Sequence, residues 1–270
     1  MNLISSAFEK STLKKKTAFI TYLVCGDPNI NVTTRLLNIM AETGVDLIEL
    51  GMPFTDPIAD GPIIQKGIER ALKNNTTLEK TLTVVKNFRK VNKKIPIVLM
   101  GYMNPIENMG YTKFATKASK SGVDGVLIVD LPVEESRIIN KILKKNNLKQ
   151  IFLTSPTTDN ARLKKIVQHS DGYIYYVSIK GITGTSIKSV SSIKAKVKKI
   201  KQISNNKIPI AVGFGIKSKS SAKKIGLFSD GVIIGSSIVE LIEKYRHNKN
   251  VMYKKIKTFL LGINKSLIIK

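Results

Sequence analysis

A short apolar segment followed by a helical segment recurs eight times along the 270 residues, and this repetition limits the possible folds more than any other feature. The apolar segments are rich in β-branched residues, which predicts parallel strands that are buried on both faces. We place these strands at residues 17–24, 47–50, 95–100, 125–129, 150–154, 173–177, 208–212 and 231–234. Strands that alternate with helices predict a parallel sheet covered by helices.

The number of strand–helix units predicts that the sheet closes into a (β/α)8 barrel, the TIM-barrel fold. An open doubly wound sheet is the alternative, but eight units within this length favour closure. Helices are predicted over residues 3–13, 31–43, 63–73, 78–90, 111–121, 133–145, 237–245 and 251–262. The first and last of these add an extra N-terminal helix and an extra C-terminal helix. Because no linker interrupts the chain, we expect a single domain over residues 1–270.

The net charge of +26 is typical of proteins that bind nucleic acids. However, 39 of the 45 basic residues are lysines and only six are arginines, whereas base contacts and phosphate clamps favour arginine. The lysines are also scattered along the predicted outer helices. We therefore interpret most of this charge as a solvated surface and expect no specific nucleic-acid binding. Salt-sensitive retention on DNA without enzymatic activity would support the alternative.

Signals for a membrane or for export are not found in the sequence. No run of about 18 apolar residues is present, and residues 1–10 lack the pattern of a signal peptide. Cys25 is the only cysteine, which excludes an internal disulfide and a cysteine-rich metal site. We expect a cytoplasmic protein without membrane contact and without a bound metal.

The second strand and the loop after it carry the residues with the clearest chemistry. Glu49 lies inside the apolar strand, where an unpaired charge is costly, so its carboxyl is either neutral or held for chemistry. The next loop contains three prolines and carries Asp56 and Asp60. One carboxylate on a strand and another on a stiff loop just beyond it suit acid–base catalysis.

Glycine-rich segments follow the last three strands and predict a phosphate site. They are Gly181–Thr185 after strand six, Gly213–Ile216 after strand seven and Gly235–Ser237 after strand eight. Barrels of this kind often bind phosphate at the loops after strands seven and eight and at a helix N-terminus. Backbone N–H groups reach an anion most easily where no Cβ intervenes. Each segment alone is a weak signal, but three on consecutive strands favour a phosphate site.

The segment Glu49–Gln65 resembles the signature of the tryptophan synthase alpha subunit family, approximately E-L-G-x-P-F-S-D-P-x-A-D-G-P-x-I-Q. Thr55 replaces the more common serine and keeps the hydroxyl. The glycine segments above, Gly-Asp-Pro after strand one and Asp130-Leu131-Pro132 after strand four are also similar to the family, so the resemblance covers nearly the whole chain. One departure is Ser178-Ile179-Lys180, where many members have Ser-Arg or Ser-Val-Thr before the glycine.

The resemblance assigns roles to particular positions of this sequence. It implies a catalytic pair of Glu49 and Asp60, no metal, and phosphate binding by the glycine segments. The implied substrate-binding residues are Tyr22, Met100, Leu127, Tyr175, Thr183 and Phe214, and the implied phosphate-binding residues are Gly184, Gly215, Gly235 and Ser236. The apolar positions among them have barrel core as their alternative interpretation.

The resemblance also implies a reaction and a partner. The reaction is the retro-aldol cleavage of indole-3-glycerol phosphate to indole and glyceraldehyde 3-phosphate, with indole passed to a beta subunit for tryptophan biosynthesis. An alpha2-beta2 heterotetramer is expected, in which the beta chain holds pyridoxal phosphate and this chain holds no cofactor. Asp56 and the loop around residues 104–106 are candidates for the contact with the partner.

Two alternatives keep the barrel but change its role. A Schiff-base aldolase could use Lys180 after strand six, although a catalytic lysine needs a lowered pKa and a loop lysine is usually solvated. A barrel that only supports a beta subunit would need no chemistry, and the carboxylates and glycine segments argue against it.

Overall fold

The computed structural model describes residues 2–178, 187–213 and 215–268. Eight parallel strands form a closed barrel in the order β1 to β8, with β8 paired back to β1. The strands are β1 Ala18–Val24, β2 Leu47–Gly51, β3 Ile97–Gly101, β4 Gly125–Ile128, β5 Lys149–Thr154, β6 Ile174–Val177, β7 Ile210–Gly213 and β8 Gly231–Ile234. The predicted (β/α)8 barrel is therefore confirmed, and the open sheet is excluded.

The helices lie outside the barrel, apart from the first. They are α1 Leu3–Leu13, α2 Ile30–Glu42, α3 Pro62–Lys73, α4 Leu78–Val91, α5 Met103–Met109, α6 Tyr111–Ser121, α7 Arg137–Lys145, α8 Asn160–His169, α9 Ile187–Ile203, α10 Lys219–Gly226, α11 Ser236–Tyr245 and α12 Lys249–Ser266. The predicted extra helices at the two ends of the chain are α1 and α12. Among the described helices, none is long and apolar enough to span a bilayer.

Two local predictions were wrong. The segment around residues 104–106 is not a loop but part of α5; Pro105 is tolerated there because it occupies the first helical turn, where its missing N–H has no partner to lose. The helix predicted over residues 133–145 is divided into a 3-10 turn, Val133–Glu135, and α7. Ser136 lies at the break, where its hydroxyl donates a hydrogen bond to the carbonyl of Val133.

Helix α1 closes one end of the barrel. Its residues Ile4 and Phe8 belong to the same apolar cluster as the inward-facing strand residues Ile20, Leu127 and Ile151. A second and larger cluster fills the space between the strands and the outer helices. Because α1 covers the end where the strands begin, the carboxyl ends of the strands form the open end, which is where barrel enzymes bind substrates.

Candidate active site

A cavity lies at the carboxyl ends of the strands. It extends from the loop after β2 to the loops after β7 and β8. It is lined by Tyr22, Asp60, Gly61, Pro62, Ile63, Ile64, Met100, Tyr175, Gly215, Ile216, Lys217, Ile233, Gly235 and Ser236. Most of these residues are apolar; the Asp60 carboxylate lies on the loop after β2, and Lys217 and the glycine segments follow β7 and β8. This distribution suits a ligand with an apolar body and an anionic end.

Glu49 lies in β2 beside the cavity wall and is fully buried. Its neighbour in β1 is Tyr22 and its neighbour in β3 is Val98. The hydroxyl of Tyr173 donates a hydrogen bond of 2.5 Å to Glu49 Oε1, while Oε2 has no partner among the described residues. Burial raises the pKa of Glu49 from 4.5 to about 8, against the opposing effect of the Tyr173 hydrogen bond. Glu49 is therefore mostly protonated at pH 7, and its Oε2 is not engaged by any of the described residues.

Two tyrosines line the cavity close to this carboxyl. The Tyr22 hydroxyl lies against Gly51 and the Tyr175 hydroxyl lies against Gly213, and a Cβ at either glycine would collide with the ring. Burial raises the pKa of both tyrosines, and at the high pH where tyrosine ionises the carboxylates of Asp60 and Glu49 raise it further. The two rings are thus neutral and form walls between the carboxyl groups.

Asp60 is held in place by its own loop and by the residue after β3. The hydroxyl of Tyr102 donates to Asp60 Oδ2 at 2.7 Å and accepts from the backbone N–H of Ala59 at 3.1 Å. Gln65 adds a hydrogen bond to the carbonyl of Asp60 at 2.8 Å. Burial raises the pKa of Asp60, and the Tyr102 hydrogen bond lowers it. The second carboxyl oxygen remains available to a ligand in the cavity.

The opposite side of the cavity is a potential anion site. Gly235 precedes α11, and Ser236 is the first residue of that helix, so unpaired N–H groups and the positive end of the helix dipole face this region. Gly215 has a φ of +77°, a conformation that favours glycine. Both glycines line the cavity.

The structure brings together most but not all of the residues expected from the sequence. Tyr22, Met100, Tyr175, Gly215, Gly235 and Ser236 line the cavity beside Asp60. Glu49 and Leu127 do not line it. Glu49 is fully buried in β2 beside Tyr22, and Leu127 is fully buried in the apolar interior of the barrel. Thr183, Gly184 and Phe214, and also Lys180, lie outside the described residues.

Tyr173 and Tyr102, which hydrogen-bond to the two carboxyl groups of the site, were missed in the sequence. Tyr173 precedes Tyr175 by two positions, so strand periodicity places both rings on the inner face, and this signal could have revealed it. Tyr102 directly follows β3, at the end of the strand where functional residues collect. Both hydroxyls donate to carboxyl groups of the site.

Comparison with known proteins decides the family. Residues 8–267, nearly the whole sequence, match the family described as "Tryptophan synthase alpha chain". The chain belongs to the tryptophan synthase alpha chain family. A member from Marinobacter nauticus is 41% identical over 267 residues, which cover 99% of this chain and 98% of the relative. A member from Nitrosomonas europaea is 46% identical over 243 residues, which cover 90% and 88%.

A solved member of the tryptophan synthase alpha chain family has the same fold. The crystal structure of tryptophan synthase subunit alpha from Legionella pneumophila superposes on this chain with a TM-score of 0.92, and the two sequences are 37% identical. The match covers 99% of this chain and 98% of the Legionella chain. Members of this family are lyases that cleave indole-3-glycerol phosphate, and their name implies a beta-chain partner. The described residues contain no group of three His, Cys, Asp or Glu side chains that could hold a metal ion.

Proposed function

We propose that this chain cleaves indole-3-glycerol phosphate to indole and glyceraldehyde 3-phosphate, with Glu49 as the acid and base and Asp60 as the electrostatic partner. The observation that carries this proposal is the state of Glu49, a fully buried carboxyl with a pKa of about 8 and one oxygen without a partner among the described residues. Such a group can donate a proton at pH 7, as an acid catalyst must.

Cleavage requires the indole ring to accept the electrons of the breaking carbon–carbon bond. Glu49 first protonates C3 of the ring, which leaves the ring nitrogen positively charged. The carboxylate that results then takes the proton from the hydroxyl on the glycerol carbon bonded to C3. As that carbon becomes an aldehyde, the bonding electrons return to the ring and neutralise the nitrogen. Glu49 has then given one proton and recovered one, so the catalyst is restored.

Asp60 stabilises the charge that this sequence creates. Its carboxylate accepts the indole N–H, and its negative charge favours the ring cation. The Tyr102 hydroxyl fixes Oδ2 of Asp60 at 2.7 Å, so little reorganisation is needed when charge develops. The rings of Tyr22 and Tyr175 and the side chain of Met100 form the walls around the indole.

The phosphate group of the substrate binds at the opposite end. Gly215, Gly235 and Ser236 contribute N–H groups and the N-terminus of α11, which attracts anions. Gly184 and Thr183 in the loop after β6, and Phe214 after β7, are proposed to complete the phosphate and substrate contacts. These three assignments rest on the sequence motifs alone.

The proposed partner is a tryptophan synthase beta chain in an alpha2-beta2 heterotetramer. Asp56 and Ile58 support a contact beside the active site, because both lie exposed on the loop that carries Asp60, with Ile58 83% exposed. Pyridoxal phosphate is assigned to the beta chain and no cofactor to this chain, since the cleavage described above uses only proton transfer and electrostatic stabilisation. A single domain in the cytoplasm, without specific nucleic-acid binding, fits these assignments.

An assay of the purified chain with indole-3-glycerol phosphate tests the proposal. We expect indole to be released, and faster when a beta chain is added. Treatment with borohydride during turnover should give no covalent adduct, because no Schiff base forms. Absence of indole with and without the beta chain would refute the catalytic proposal and leave a scaffold barrel. An adduct on Lys180 would instead support the Schiff-base aldolase.

Replacing Asp60 with asparagine is expected to lower kcat/KM by about 10², because the loss of one charge-stabilising group costs a few kcal/mol. Asparagine keeps the size of the side chain and can accept from Tyr102, but it lacks the negative charge. Asp56→Asn is the matched control, since Asp56 is exposed on the same loop and should change alpha-chain activity less than twofold in the absence of a beta chain. Equal effects of the two substitutions would contradict the role of Asp60.

A further inference from the structure

A lysine lies at the phosphate end of the cavity and has no part in the function proposed above. Lys217 follows the loop after β7 and lines the cavity together with Gly215, Gly235 and Ser236. Among the described residues of the lining, Lys217 is the only one with a positive charge, and Asp60 is the only one with a negative charge. We propose that Lys217 is a further phosphate-binding residue of this enzyme, an inference that rests on the proposed function.

The ammonium group of Lys217 is held close to the site by a carboxylate that it can leave. Its Nζ donates to Glu240 Oε1 at 2.9 Å. Glu240 lies four residues after Ser236 in α11, so the two side chains are on one face of the helix and one turn apart. Lys217 and Glu240 are 41% and 42% exposed, and an exposed ion pair of this kind is weak. The flexible lysine stem can therefore move its charge to an anion at the helix N-terminus.

A phosphate at this position needs more charge than the backbone supplies. The substrate phosphate carries up to two negative charges, whereas a helix N-terminus offers about half of one positive charge. The Asp60 carboxylate in the same cavity repels the phosphate further. Lysine is a suitable complement because its ammonium acts as a point charge toward phosphate. In this arrangement, Glu240 holds the ammonium in the empty site and phosphate displaces Glu240.

Lys217→Met should raise the KM for indole-3-glycerol phosphate by about two- to fivefold, the size expected for one partly exposed charged contact, and leave kcat within about twofold. The dissociation constant of inorganic phosphate, measured by calorimetry, should rise by a similar factor. Glu240→Gln should have the opposite effect and lower both constants by about two- to fivefold, because the ammonium is released. In the double variant the Glu240→Gln effect should vanish. The differences in KM and in the phosphate dissociation constant between the variants and the wild type should shrink in high salt.

Lys219→Met is the control, because it removes the same charge from the same segment. The end of the Lys219 side chain lies against Gly262 of α12 and not in the cavity. An unchanged KM in Lys217→Met, or an equal rise in Lys219→Met, overturns the proposal. The phosphate titration separates this result from a failure of the proposed function. A chain without lyase activity whose phosphate binding still depends on Lys217 would refute the reaction and keep the phosphate contact.

Discussion

Replacing Glu49 with glutamine is expected to lower kcat for indole-3-glycerol phosphate cleavage by about 10³–10⁴, the upper range for one acid–base catalyst. The same carboxyl gives and recovers a proton, so both transfers are lost together. Glutamine is isosteric with the neutral acid that Glu49 forms below its pKa of about 8, and it can still accept from Tyr173. KM should therefore change little. Steady-state kinetics over a range of substrate concentrations measure the two effects separately.

The pH dependence of kcat is the control for the Glu49→Gln prediction. The acid acts when protonated, so kcat of the wild type should fall as the pH rises through about 8. Tyr173→Phe removes a hydrogen bond that lowers the pKa of Glu49, so the fall in kcat should move to higher pH with less than tenfold loss at pH 7. A Glu49→Gln variant that keeps a tenth of the wild-type kcat would exclude Glu49 as the acid.

Stability measurements distinguish lost chemistry from lost folding. Folding raises the pKa of Glu49 from 4.5 to about 8, so the stability that the neutral carboxyl provides is fully present below pH 4.5 and is lost as the pH rises through 8. Glutamine does not ionise and escapes this loss. At pH 9 the free energy of unfolding of Glu49→Gln should therefore be no lower than that of the wild type, as urea titration can establish.

The sequence predicts the barrel well because its signals are local. Each strand is an apolar run, so the eight strands could be placed with errors of no more than two residues at their ends, whereas no bounds were predicted for α8, α9 and α10. The burial of Glu49 also followed from its neighbours Ile48 and Leu50 in the same run. These features depend on segments of a few residues, which a single sequence contains in full.

Contacts across the barrel were not predictable in the same way. Tyr173 and Glu49 are separated by 124 residues; Glu49 lies in β2 and Tyr173 directly precedes β6, and these two strands are not paired, so no local pattern relates them. Leu127 illustrates a second limit. Strand periodicity indicates that it points inward, but not how far along the barrel axis it lies, and the structure places it in the interior and not at the cavity wall.

A buried ion pair near the open end of the barrel is the basis of the other large effect. Asp27, after β1, is fully buried, and both of its carboxylate oxygens accept hydrogen bonds from Arg70 of α3, at 2.6 and 2.8 Å. Arg70 also pairs with Glu243 of α11. Gly67 lets α3 approach closely, since a Cβ there would lie 2.9 Å from Asp27 Oδ2. One arginine thus connects the helix after the Asp60 loop to the helix at the phosphate site.

Replacing Arg70 with methionine is expected to lower the free energy of unfolding by about 3–5 kcal/mol, because it leaves a buried carboxylate without its partner. Arg70→Lys should recover only part of this loss, since an ammonium cannot bond both oxygens of Asp27 in the bidentate manner. Lys257→Met is the control; it breaks an exposed ion pair with Glu42 and should cost less than about 1 kcal/mol. Urea unfolding of the three variants beside the wild type measures these differences.

The pH dependence of the Arg70→Met defect tests its electrostatic origin. Burial raises the pKa of Asp27, and Arg70 opposes this rise, so removal of the arginine should raise the pKa further. Protonation of Asp27 then removes the unpaired charge, and the difference between variant and wild type should shrink as the pH is lowered from neutral into the acid range. A difference that is constant across this range would mean that Arg70 acts through packing alone. In that case Arg70 would not be an electrostatic link between the Asp60 loop and the phosphate site.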